Sequence, residues 1–168
     1  MSISMYQASV PTIIRALKNL ADVTAKGGQH VDAKKIPPEA ILNFRLYPDM
    51  LPFKSQIQIA ADISKGGCGR LAGIQPPAFE DNEASFAELV ERLRKTIAFL
   101  ETIKPEQMDG AETRTITWTS RNNERSMVGL QYIFTHVLPN VFFHCTTAYD
   151  MLRHNGVELG KMDFLGKS

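Results

Sequence analysis

Residues 139–156 read PNVFFHCTTAYDMLRHNG. At about 100° per residue, His136, Asn140, His144, Thr147, Met151 and His154 share one stripe roughly 80° wide. The stripe is threaded through an aromatic run, Phe142, Phe143 and Tyr149, and the segment reads as a helix of a bundle. Asn155-Gly156 is a helix stop. Pro139 withholds a backbone N–H and predicts a kink, which offsets His136 from the later turns of the helix and leaves Asn140, His144 and Thr147 as the polar set in one register. Turned inward, that set needs hydrogen-bond partners or water.

Helical character is expected from Gly129 to Gly156. Before it stands TRTITWTSRNNERSMVG (113–129), where Thr113, Thr115 and Thr117 alternate with Arg114, Ile116 and Trp118. That period of two, with Arg121-Asn122-Asn123 at a turn, predicts a small hairpin. Ser85-Phe86-Ala87-Glu88 has the form of a capping box and opens a helix to about Ile103, with Phe86, Leu89, Val90, Leu93, Ile97 and Leu100 on its apolar face and its charges read as solvated surface. Phe53, Ile57, Ala60, Ala61, Ser64 and Cys68 mark another helix over 53–71. The glycines near its end (Gly66, Gly67, Gly69 and Gly73) read as close helix packing. A phosphate loop would need a preceding strand and a following GK[ST]. The first helix starts at a capping box, Ser4 to Gln7, carries Pro11 early, and is expected to end near residue 26 at Gly27-Gly28. Pro37-Pro38 starts a short helix, PEAILNF, and RLYPDMLPF is a connector. The tail VELGKMDFLGKS reads as irregular, packed back through Phe164 and Leu165. Together these elements predict an all-α four-helix bundle with a short β-hairpin before the last helix, in a single domain over residues 1–168.

The bulk chemistry narrows the function classes. The formal net charge is +1 and the 19 basic residues are scattered, unlike the basic stripe of a nucleic-acid binder. No apolar run reaches the roughly 18 to 20 residues that span a bilayer, so no membrane role is expected. No secretory pattern is visible at MSISMYQASVPTIIRALKNL, and a cytoplasmic location is expected. Cys68 and Cys145 lack ligand spacing and read as small buried hydrophobes. Bundle interiors do host metals, yet a catalytic zinc wants about three protein ligands. Asn140 and His144 have helical spacing, but an amide oxygen is a poor transition-metal ligand and residues 52–72 contain no histidine. Asp49 and Asp62 are the carboxylates considered as substitutes, and His30 is assigned to a loop. His154 sits where the negative end of a helix dipole favours its cation.

Four segments carry a family likeness: YQASVPTIIRALKNL (6–20), RLYPDMLPFKSQIQIAADISKG (45–66), SFAELVERLRKTIAFL (85–100) and LPNVFFHCTTAYDMLRHNGVELGKMDFLG (138–166). They resemble the DUF1993 family of bacterial proteins, a branch of the DinB/YfiT-like superfamily. The resemblance implies a four-helix bundle, commonly a homodimer. Metal-binding superfamily members carry one histidine on the second helix and two on the last, spaced H-x-x-x-H. Laid on the ending Leu152-Arg153-His154-Asn155-Gly156, that pattern puts His144 at the second of the two, Asn140 at the first and Thr147 at a following glutamine. One ligand of three is matched, so the resemblance implies a degenerate metal site and no cofactor.

Three readings stand at this level. The chain is a small-ligand-binding or accessory protein with a pocket of Asn140, His144, Thr147, Asp49 and Tyr149. Alternatively it is an enzyme of S-transferase or hydrolase type using that pocket, with a rebuilt metal site or His144 as acid/base. Or it is a structural homodimeric bundle.

Overall fold

The computed structural model describes residues 3–120 and 122–166. In chain order these form α1 (Met5–Lys34), α2 (Pro38–Leu42), α3 (Phe53–Ala72), α4 (Phe86–Glu101), a 3-10 turn (Pro105–Met108), β1 (Thr115–Ser120), β2 (Asn123–Val128), α5 (Gly129–Gln131), a π turn (Tyr132–Val137), α6 (Leu138–His154) and α7 (Lys161–Leu165). The long helices α1, α3, α4 and α6 make the bundle. Going round it, α1 packs on α4, α4 on α3, α3 on α6, and α6 on α1. The α3–α4 connection therefore joins neighbours. The α2 segment with its connector, and the hairpin, carry the chain across the bundle.

The apolar faces meet as the periodicity predicts: Ile13, Leu17, Phe53, Ile57, Leu89, Leu93, Leu100, Ile133 and Met151 are fully buried. Burying a side chain of this size contributes about 1.5–3 kcal/mol, which is the main term holding the four helices together. Ser4 and Gln7 cap α1 reciprocally, at 3.1 Å in both directions. At α4 the Ser85 hydroxyl accepts from Glu88 N, while the Glu88 carboxylate accepts from Ala84 N rather than closing the box on Ser85. Among the described residues no helix is long and apolar enough to cross a membrane.

Several expectations are corrected. α1 does not stop at Gly27-Gly28 but runs to Lys34, where Lys35 takes a left-handed conformation. Gly27 is a packing glycine: a Cβ there would lie 2.9 Å from both Leu152 Cδ2 and Phe86 Cε1. His30 is consequently helical, not in a loop. The glycines of α3 do serve close packing, since a Cβ on Gly67 would stand 2.6 Å from Val137 Cγ1.

The hairpin pairs Thr115 with Val128 and Ser120 with Asn123. Arg121, in the expected turn, lies outside the described residues. Asn122 has positive φ and Asn123 already belongs to β2. The hairpin buries Ile116 and Trp118, and Trp118 covers Tyr132 and His136 of the π turn at 4.8 Å to each ring. The tail is not wholly irregular, because residues 161–165 form α7 against α1. Its last two residues, Lys167 and Ser168, lie outside the described residues.

Candidate functional site

The two faces of α6 are built differently. On the α3 side, His144 is 9% exposed and its Nδ1 lies 2.7 Å from Gln56 Oε1 on α3. Gln56 Nε2 donates to the Leu51 carbonyl at 3.0 Å, which leaves Oε1 as acceptor. His144 Nδ1 therefore carries the proton and donates, and Nε2 holds the lone pair. Burial disfavours the imidazolium and pushes the His144 pKa below its ordinary value of 6.5. Its orienting partner is a neutral amide rather than a carboxylate, so the pair brings no negative charge to a developing imidazolium.

The other expected members of the polar set spend their donors on α6 and the turn before it. Asn140 Nδ2 donates to the His136 carbonyl at 2.6 Å, and Thr147 Oγ1 to the Phe143 carbonyl at 2.8 Å. Such bonds to the residue four earlier satisfy a buried polar group without any partner helix. Asp49 is exposed in the connector before α3. Tyr149 lies on a different face, where its ring meets Phe164 edge-on at 6.0 Å. The five expected pocket residues thus do not line one cavity. His154 at the helix end stacks on Phe44 at 5.6 Å.

The offset anticipated at Pro139 comes one step earlier, in the π turn. A π turn holds one extra residue, so positions on either side are displaced by roughly 100°. His136 accordingly leaves the stripe and joins Trp118 and Tyr132. Burial first, then the charges of Arg125 and Arg70, lower its pKa.

A three-ligand metal centre does not fit these residues. Gln56 and Asn140 offer neutral amides, and the Asn140 amide is turned toward its own helix. Among the described residues no group of three or more His, Cys, Asp or Glu side chains is placed to hold a metal ion. The cysteines are equally unreactive, burial raising both the Cys68 and the Cys145 thiol to about 12.

On its other side α6 faces a groove of about 280 Å³ closed by α1 and α7. Ala16, Leu20, Val23, Phe142, Cys145 and Phe164 give it an apolar lining, with Thr12, Arg15 and Asn19 along one edge and Tyr149 within. Asn140, His144 and Thr147 do not contribute to it. Of the expected pocket residues, Tyr149 alone is in this groove.

A further buried feature contradicts the reading of α4 charges as solvated. Arg92 is 3% exposed and pairs at 2.8 Å with Asp62, Asp81 and Glu83. Its guanidinium lies over the Phe79 ring and also donates to the Glu80 carbonyl. Burial alone would raise the Glu83 pKa, but hydrogen bonds from Gln58 and Arg92 outweigh it and hold the carboxyl below its ordinary 4.5. A signal for Arg92 is present in the sequence, because it stands three residues after Leu89 and one before Leu93, on the apolar side. Gln56 carries the same signal, three residues after Phe53 and one before Ile57.

The geometry agrees with the comparisons. The family model described as "Domain of unknown function (DUF1993)" matches residues 5–165. No match is found among curated proteins. A crystal structure of a DinB family member protein from Shewanella denitrificans is 36% identical, covers 98% of this chain and 93% of its own, and superposes with a TM-score of 0.90. With both the sequence family and the bundle accounted for over nearly the whole chain, the protein belongs to the DUF1993 family and has the fold of a DinB family member.

Proposed function

We propose that this protein is a non-catalytic binder of a small, largely apolar ligand, and that its ligand site is the α1–α6–α7 groove rather than the His144 face. The observation that supports this reading is the contrast across α6. His144 Nδ1, the Asn140 amide nitrogen and the Thr147 hydroxyl already donate within the protein. The opposite face leaves an apolar recess bordered by a few polar groups, the usual make-up of a small-molecule site, and its size lies just below the roughly 300–1,000 Å³ range of such sites. The degenerate metal position then serves as a buried α3–α6 hydrogen bond.

Fluorescence titration with the neutral apolar probe N-phenyl-1-naphthylamine tests the reading. The expected result is saturable binding to the wild type, lost in Ala16→Trp, which fills the groove, and kept in His144→Ala. Retention of binding in a folded Ala16→Trp protein, or its loss only in His144→Ala, would place the ligand elsewhere and overturn the proposal.

A further inference from the structure

The groove has a chemical polarity that narrows its ligand. On α1 its lining residues run Thr12, Arg15, Ala16, Asn19, Leu20 and Val23, one continuous helical stripe. Ala16, Leu20 and Val23 form the apolar part, whereas Thr12, Arg15 and Asn19 form the polar edge. Among the described residues Arg15 is the one Asp, Glu, Lys or Arg side chain in the lining, so these residues offer a cation and no anion.

We propose, resting on the groove being the ligand site, that it takes an amphipathic monocarboxylate: an acyl or aryl-alkyl chain lies on Ala16, Leu20, Val23 and Phe142, and its carboxylate pairs with the Arg15 guanidinium. Arg15 uses Nε to donate to the Leu165 carbonyl at 3.1 Å. Among the described residues neither of its Nη groups has a hydrogen-bond partner. A guanidinium presents paired donors that match the two oxygens of a carboxylate. Arg15 is exposed at the groove edge, and the apolar wall beside it lowers the local dielectric on one side of that pair, which strengthens it relative to a free surface pair.

The roof is suited to admitting such a ligand. α7 contains no buried residue. It is held by the Arg15 bond, by Asn19 Nδ2 donating to the Phe164 carbonyl at 2.9 Å, by the Lys26–Asp163 ion pair and by the Phe164 ring against Tyr149. Two of these four ties come from groove residues acting on backbone carbonyls. A carboxylate on the Nη groups leaves the Nε bond to Leu165 in place, so the head group sits beside the α7 end.

Displacement of N-phenyl-1-naphthylamine by octanoate and by 1-octanol, below micelle-forming concentrations, tests this in the wild type, Arg15→Gln and Arg15→Lys. Octanoate is expected to compete at least about tenfold better than octanol, as one added charge-assisted hydrogen-bonded pair allows. Arg15→Gln should abolish that preference while leaving probe binding intact, and Arg15→Lys should restore part of it. Equal competition by the two compounds, or a preference unchanged in Arg15→Gln, overturns the carboxylate assignment and leaves the groove reading standing. Failure of the probe itself to bind the wild type removes the groove reading and this proposal with it.

Discussion

The α3–α6 seam and the α1–α6–α7 groove use one helix in opposite ways. In the seam, His144 and Gln56 close on each other and their remaining polar neighbours bond back into their own helix. In the groove, Cys145 and Phe142, the neighbours of His144 and Phe143 in sequence, face a recess covered by a five-residue helix. A third seam, α3–α4, resembles the first: Arg92 gathers Asp62, Asp81 and Glu83 around its head. The difference teaches that a polar residue on a bundle helix is weak evidence for a site. Buried polar groups are generally consumed by structure, and the space for a ligand is found where large apolar side chains stop short of one another.

The comparison can be broken most severely at Arg92. Arg92→Ala removes the cation beside the Glu83 carboxylate, whose side chain is 9% exposed, and leaves it the Gln58 hydrogen bond. We expect a loss of about 3 kcal/mol in urea unfolding, toward the low end for a broken buried pair. It lies there because Asp62 and Asp81, at 41% and 60% exposure, return to solvent easily. The same variant should lose part of the acid limb of the stability profile. Glu83 has a depressed folded pKa, so its contribution is present above the ordinary 4.5 and lost as pH falls further. An unchanged midpoint would mean that the clasp is no more structural than a surface pair.

Next in size is His144→Ala. It leaves Gln56 Oε1 buried without its donor, at a cost of about 2 kcal/mol. The pH dependence sharpens this test. Because the folded pKa of His144 lies below 6.5, the unfolded chain binds a proton that the folded chain does not take up between the two values. Stability is therefore full above about 6.5 and declines as pH is lowered through that value. His136 adds a second contribution of the same sign. The decline should be shallower in His144→Ala, and a slope equal to that of the wild type would show His144 to titrate normally. The smallest effect is expected at the groove, where Phe164→Ala should cost about 1 kcal/mol or less, since the ring is half-buried and meets Tyr149 only edge-on. It should nevertheless raise hydrogen exchange at the amides of α7. A loss larger than that of His144→Ala would make α7 part of the core instead of a cover.

Much of the fold was legible in the residues themselves. The periodicity at 53–72 and 86–101, the capping serines Ser4 and Ser85, and the alternation at Thr115–Trp118 each state a local preference that packing then respects. Where reading went astray, a local rule met a tertiary contact. Gly27-Gly28 has the composition of a helix stop, but a helix continues through glycine when Leu152 and Phe86 need the space that a Cβ would take. Pro139 announced an offset in the last helix. The structure absorbs it in the π turn at Tyr132–Val137, where Trp118 of the hairpin covers the widened backbone. The tail helix α7 is too short to declare itself by periodicity and is held by side chains of α1.

For the candidate site the balance is reversed. The sequence alone determined that a polar set lay on the last helix, that a three-histidine ligand pattern was not present, and that His144 was its notable member, because side-chain chemistry and helical spacing are properties of a segment. It could not say that Gln56 meets His144, that Arg92 draws in three carboxylates, or that the opening lies on the Tyr149 face beneath α7. Those facts depend on which faces of distant segments meet and on where their side chains leave space, and both are set by the joint packing of four helices.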